Sequence, residues 1–176
     1  MPAEAKGFFI LMAASLMGVY KESLKEADDF LFKKAGIHLG DVDTEKWYDT
    51  IIFKHFMGKY VGASPSKENA WLTLGKTIYP TIKRTVGLPE NIKTPVDLIK
   101  YDNEAFLQTH RGEGIRGRKI IKHENNMVIV QAPTPGYNTK LVEGVYLGIL
   151  AILGIKNGSV KLLKGEPECE YEVRWS

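Results

Sequence analysis

The chain has 176 residues, of which 44% are hydrophobic and 26% charged. It is long enough to bury a core and too apolar for a disordered segment. A net charge of +3 is too small to imply nucleic acid, and the lone Cys169 excludes a disulfide framework and a cysteine-based zinc site.

The predicted elements begin with Gly7 to Tyr20, an apolar run reading GFFILMAASLMGVY. No basic cluster precedes it and no small-x-small cleavage site follows, so a core helix is favoured over a signal peptide. Lys21 to Lys34 is more polar, with Leu24, Ala27, Phe30 and Leu31 at helical spacing. Glu45 to Tyr60 reads as another helix, carrying Trp47, Ile51, Ile52, Phe53, Phe56, Met57 and Tyr60. Ser64 and Pro65 read as the N-cap and first residue of the next helix. There Trp71, Leu74 and Ile78 share a face, and Pro80 ends or kinks the helix. Thr94-Pro95 repeats the start signal, with Asp97 in the capping-box position. Leu98, Ile99, Ala105, Phe106 and Leu107 carry that helix toward His110, and Gly112 and Gly114 release the chain.

The last third reads as hairpin, helix, hairpin. Ile115 to Lys122 and Met127 to Gln131 flank Asn125-Asn126, residues that tolerate a tight turn. Thr139 to Leu153 is apolar on nearly every side and too short for a membrane span, which takes roughly 20 residues. Gly144 and Gly148 each cost that helix about 1 kcal/mol against Ala. The expected return is close backbone approach to the sheet or to a second subunit. Ser159 to Leu163 and Glu168 to Trp175 form the last pair, across Gly165-Glu166-Pro167. In the final strand Cys169, Tyr171, Val173 and Trp175 alternate with Glu168, Glu170, Glu172 and Arg174, which places the first set on the core face. The expected architecture is therefore α+β: N-terminal helices on a four-stranded antiparallel sheet, in a single domain over residues 1–176.

Sharp catalytic motifs are missing. Gly75-Lys76-Thr77 resembles the end of a phosphate loop, but Ala70 stands where that motif needs glycine. His38 reads as a loop residue, His123 as solvated and His55 as a core histidine. His110 ends a helix, where a positive imidazolium would complement the dipole; a ligand role is the rival reading. Cys169 reads as a buried, inert thiol. Asn157-Gly158-Ser159 matches a glycosylation sequon but reads as a turn. Arg111, Arg116, Arg118, Lys119 and Lys122 make the first hairpin basic, and Glu166, Glu168, Glu170 and Glu172 make the last one acidic. Cross-strand charge balance is preferred to a nucleic-acid patch, because no aromatic residues interleave with the basic ones.

Four segments in this order carry a resemblance: WLTLGKTIYPTIK, TPVDLIKYDNEAFLQTHRG, LVEGVYLGILAILG and CEYEVRW. With the helix, hairpin, helix, hairpin pattern, the chain resembles the superfamily of 4-vinyl reductase domains, haem-nitric-oxide-binding domains and TRAPP small subunits. It is most similar to that group's uncharacterised bacterial members. The resemblance implies an α+β fold with a pocket between helices and sheet, and a homodimer. It also implies haem or another tetrapyrrole as the cofactor to consider. The haem-binding branch uses a histidine shortly before the first hairpin, near the place of His110. Its Tyr-x-Ser-x-Arg motif for the propionates falls on Gly136, Asn138 and Lys140, of which Lys140 keeps the charge. The zinc-binding cysteines of phenol-sensing relatives have no counterpart.

The expected function is a cytoplasmic ligand-binding or sensory domain rather than an enzyme, taking an apolar or aromatic small molecule and neither nucleic acid nor membrane. A haem sensor using His110 and a non-catalytic assembly module are the alternatives. Phe53, Phe56, Met57, Trp71 and Phe106 are expected to line the pocket, with Tyr101, His110 or Lys140 as polar contacts. The competing expectation is that the aromatic residues simply fill the core.

Overall fold

The computed structural model describes residues 1–176. Six helices and seven strands form two antiparallel sheets. Strand β1 (Glu4–Lys6) runs into helix α1 (Gly7–Ser15), which a turn separates from α2 (Lys21–Ala35). Gly36, in the left-handed conformation, ends α2, with its N–H on the Phe32 carbonyl. Strand β2 (Trp47–Asp49) precedes α3 (Thr50–Ala63), followed by α4 (Asn69–Thr85), α5 (Pro95–Thr109) and the two-residue β3 (His110–Arg111). The C-terminal unit comprises β4 (Lys119–Glu124), β5 (Met127–Gln131), α6 (Thr139–Ile152), β6 (Ser159–Lys164) and β7 (Glu170–Arg174).

The larger sheet has the order β4-β5-β7-β6 and is antiparallel throughout, as the two hairpin signals predict. Val128, Val130, Tyr171 and Val173 are fully buried on the face that α6 covers. Each such side chain contributes roughly 1.5–3 kcal/mol. Tyr146 of α6 meets Tyr171 of β7 with ring centroids 5.8 Å apart. Trp175 is only half-buried, and β7 begins one residue after Cys169, which is buried with φ at 44°. The alternation therefore holds, but Cys169 belongs to the turn rather than to the strand. The edge strands β4 and β6 carry Lys119, Lys122, Lys161 and Lys164, charges that discourage further strand pairing.

Several sequence expectations change. Residues 45–49 are not helical: Asp49 accepts the Ile51 N–H at 2.9 Å and caps α3, leaving Trp47 to Asp49 as β2. Ser64 does not start α4. It closes α3, its N–H on Tyr60, and α4 begins at Asn69 after Lys67 adopts a positive φ of 47°. The capping box of Thr94 and Asp97 forms as read, with Pro95 opening α5. The basic β4 and acidic β7 do not pair, because β5 lies between them. Glu172 instead faces Lys161 of β6 and Ile129 of β5. A second sheet, β2-β1-β3, was not legible in the sequence.

Pro80 does not end α4; the helix continues through it to Thr85. A proline at 80 leaves the carbonyl of residue 76 without its helical donor. That Lys76 oxygen is the atom nearest the bare Cα side of Gly148. Gly144 likewise presses on Gly75 and the Leu72 carbonyl. The close approach expected of Gly144 and Gly148 is thus made to α4, and neither to the sheet nor to a second subunit.

Gly144→Ala tests this contact. Its β-carbon would overlap the Leu72 carbonyl oxygen and lie 2.9 Å from the Gly75 Cα. Backbone cannot move aside cheaply, so the expected loss is about 1–3 kcal/mol in urea unfolding. An exposed control, Gly40→Ala, meets nothing nearby and should change little.

Candidate functional site

A cavity of about 530 Å³ lies among α1, α4, α5, α6 and the small sheet, within the range usual for small-molecule sites. Its wall is mostly apolar. Phe8 and Phe9 come from α1, Phe53 from α3, Ile78 and Ile82 from α4, Ala105 and Phe106 from α5, and Leu141, Val142 and Val145 from α6. Tyr79, Tyr101, Asp102, His110, Arg118 and Tyr137 add polar groups, and Lys6 and Glu45 stand at the edge nearest the small sheet.

The buried polar centre is a chain of three residues. Arg118 Nη1 donates to Asp102 Oδ2 at 2.7 Å, and the Tyr79 hydroxyl donates to Asp102 Oδ1 at 2.8 Å. Both members of the ion pair are nearly inaccessible. Burial works against the Arg118 charge, but the adjacent Asp102 more than offsets this and holds the guanidinium charged. Burial also pushes the Tyr79 hydroxyl well above its usual range, and the Asp102 charge adds to that. The backbone N–H of Arg118 donates to Asn103 Oδ1 at 2.7 Å. Neighbouring residues of α5 thus hold the main chain and the side chain of Arg118.

His110 sits at the end of α5, where its backbone N–H caps on Phe106 and β3 pairs it with Ala5 of β1. Its ring is stacked on Phe106 with centroids 4.4 Å apart and flanked by Phe9 at 4.9 Å and Tyr137 at 5.9 Å. Burial first, and the Arg118 charge second, lower its pKa to about 3. The imidazole is therefore neutral near pH 7, which corrects the expectation of a positive ring complementing the helix dipole. The hydrogen bonds assign its tautomer. The Thr109 hydroxyl spends its one proton on the Ala105 carbonyl at 2.7 Å, so it accepts from His110 Nδ1 at 3.1 Å. Nε2 is left as a bare lone pair with no partner.

Four of the residues expected to form a pocket line this cavity: Phe53, Tyr101, Phe106 and His110. Phe56 and Met57 are fully buried behind the wall, Trp71 is half-buried against the core, and Lys140 is half-buried outside the wall. Phe9, Tyr79, Asp102, Arg118 and Tyr137 were missed. Asp102 left one trace, an acid at helical spacing with the buried Leu98, Ile99 and Phe106.

One atom meets the requirement for a haem ligand: His110 Nε2 is unpartnered, in the right tautomer and part of a cavity wall. The surroundings do not meet the rest. Nε2 is covered by the rings packed around His110, so neither a metal nor any other ligand atom reaches it unless Phe9 or Phe106 moves. Asn138 is occupied in capping α6 through the Lys140 N–H at 2.9 Å, and neither Lys140 nor Gly136 lines the cavity.

No protein-family model matches the chain, and no curated protein matches it. Solved structures do. A mutant of the T. tengcongensis H-NOX protein is 14% identical with a TM-score of 0.69, covering 97% of both chains. The Fe(II) unliganded H-NOX protein from K. algicida is 11% identical at 0.66, covering 97% of this chain and 96% of the other. A structure from work on haem distortion in the H-NOX family is 12% identical at 0.70, covering 97% and 94%. The fold along nearly the whole chain is therefore that of the H-NOX domains.

Two outcomes follow from the buried groups. The folded His110 stays unprotonated down to about pH 3, whereas the unfolded residue takes up a proton below about 6.5. Stability should fall as pH drops from 6.5 toward 3, by at most about 1.4 kcal/mol per pH unit from this group. Thermal melts of His110→Phe should show a shallower slope between pH 6.5 and 5 than the wild type. Separately, Asp102→Ala leaves Arg118 buried without its counter-charge and should cost about 3–5 kcal/mol in denaturant.

Proposed function

We propose that the chain is a sensory domain that holds an apolar or aromatic small molecule in the cavity between its helices and small sheet. It acts by binding rather than by catalysis. The observation that carries this reading is the cavity itself. Aromatic and aliphatic groups from five helices face it, and three of its wall residues each keep an unpaired polar atom buried behind its surface. Such atoms cost stability in a finished core, and a bound molecule that displaces the rings covering them can satisfy them. A single buried cluster of 35 residues runs through the helices and the sheet, which supports one domain over the whole chain. No helix is long and apolar enough to cross a membrane, which accords with a cytoplasmic placement. The homodimer and the kinship with 4-vinyl reductase domains and TRAPP subunits rest on the sequence resemblance.

Haem is the second reading, favoured by the bare His110 Nε2 and by the H-NOX fold, whose K. algicida member holds Fe(II). In that reading His110 would hold the iron, which supplies diatomic-gas binding, and the rings of Phe9 and Phe106 would have to turn away from the nitrogen.

An absorption spectrum of the purified protein, before and after incubation with haem, separates the two. The first reading expects no Soret band that His110→Ala abolishes. A thermal-shift screen of apolar molecules should then raise the melting temperature. At a hundredfold excess over Kd the gain is about 2.7 kcal/mol, or roughly 5–10 °C for a chain of this size. No response to haem or to any small molecule would leave only an assembly module.

A further inference from the structure

The chemistry of the wall narrows the class of molecule that the cavity takes; this step rests on the small-molecule reading above. The wall carries four charged side chains, and each has its opposite. Arg118 is matched by Asp102 at 2.7 Å and Lys6 by Glu45 at 3.2 Å. The second oxygen of Asp102 is taken by Tyr79. An anionic head group reaching Arg118 would compete with a carboxylate already in place and be repelled by it. A cationic one reaching Asp102 would face the Arg118 charge in the same way. No charge is left over to compensate an ion brought out of water.

What remains unpaired is neutral hydrogen bonding. Three atoms of wall residues lack partners: His110 Nε2, Arg118 Nε and the Tyr137 hydroxyl. All three side chains are more than nine-tenths buried. The first accepts only, the second donates only, and the third does either. The Phe106 ring touches both of the first two groups, with the Arg118 guanidinium carbon 4.1 Å from its centre and the imidazole centre at 4.4 Å. A turn of that one ring changes the cover over both.

We propose that the cavity selects an uncharged molecule with an apolar body and one hydroxyl head, which hydrogen-bonds to one of these atoms once the ring covering it turns aside, and that the Asp102–Arg118 pair excludes carboxylates, phosphates and ammonium groups. Asp102 is then the residue that sets head-group specificity, by neutralising a cation that would otherwise recruit an anion.

The test is an affinity series on the wild-type protein with probes that share one body: hexane, 1-hexanol, hexanoate and hexylammonium, followed by titration in protein-observed NMR at pH 7. The expected result is 1-hexanol binding tighter than hexane and at least tenfold tighter than either ion. Hexanoate or hexylammonium binding as well as 1-hexanol would overturn the charge-exclusion argument while leaving the cavity reading intact. Hexane binding as well as 1-hexanol would overturn the hydrogen-bonding half. Silence from both hexane and 1-hexanol would take down the small-molecule reading, and this proposal with it. Asp102→Asn adds a reversal test if it folds: Arg118 is then an unmatched cation, and hexanoate should overtake 1-hexanol. The wild-type ranking decides the matter without that variant.

Discussion

The contact between α4 and α6 sets the geometry on which the rest depends. Gly75, Gly144 and Gly148 strip the side chains from both surfaces, so the two backbones meet directly. Helices packed through ordinary side chains sit about 8–10 Å apart; removing those side chains lets them come closer. Helix α6 is thereby clamped between the sheet on one side and α4 on the other. The carbonyl that Pro80 frees lies against Gly148, so a proline that would be a defect in an isolated helix falls where another backbone passes.

The same two helices supply one flank of the cavity, through Ile78, Tyr79 and Ile82 of α4 and Leu141, Val142 and Val145 of α6. Their spacing is fixed by backbone and cannot adjust to fill the space. The opposite flank, formed by α1, α5 and the small sheet, is tied down by hydrogen bonds. β1 pairs with both β2 and β3, which places Phe9 and His110 side by side. Outside, Arg111 and Lys6 both stack on Trp47, and Arg111 also reaches Glu4 at 2.7 Å. These exposed pairs add little energy, but they hold the register of the small sheet.

Electrostatics in the cavity wall follow from burial more than from charge count. Asp102 and Arg118 are too buried to be hydrated, so each is tolerable only because of the other. His110 lies within the field of Arg118 and away from water, and both effects favour the neutral ring. A neutral imidazole with its proton on Nδ1 is a different chemical object from the cation that its place at a helix end implies. Tertiary neighbours, which the helix-end argument does not contain, decide which of the two exists.

Local patterns in the chain determined the larger sheet, its core-facing residues, the capping box at Thr94 and the buried helix α6, because alternation, caps and turns are written in adjacent residues. Likewise Phe53, Tyr101, Phe106 and His110 could be picked out near a pocket, being aromatic groups on or at the end of helices α3 and α5. The small sheet was invisible, since its strands have two or three residues and pair over long stretches of chain, Glu4 with Asp49 and with Arg111. The partner of Gly144 and Gly148 was equally hidden, because a small-residue stripe says that something comes close but not what. The Asp102–Arg118–Tyr79 chain needed three separate elements to converge, and only folding brings an acid on α5, a base ahead of β4 and a phenol on α4 within hydrogen-bonding distance.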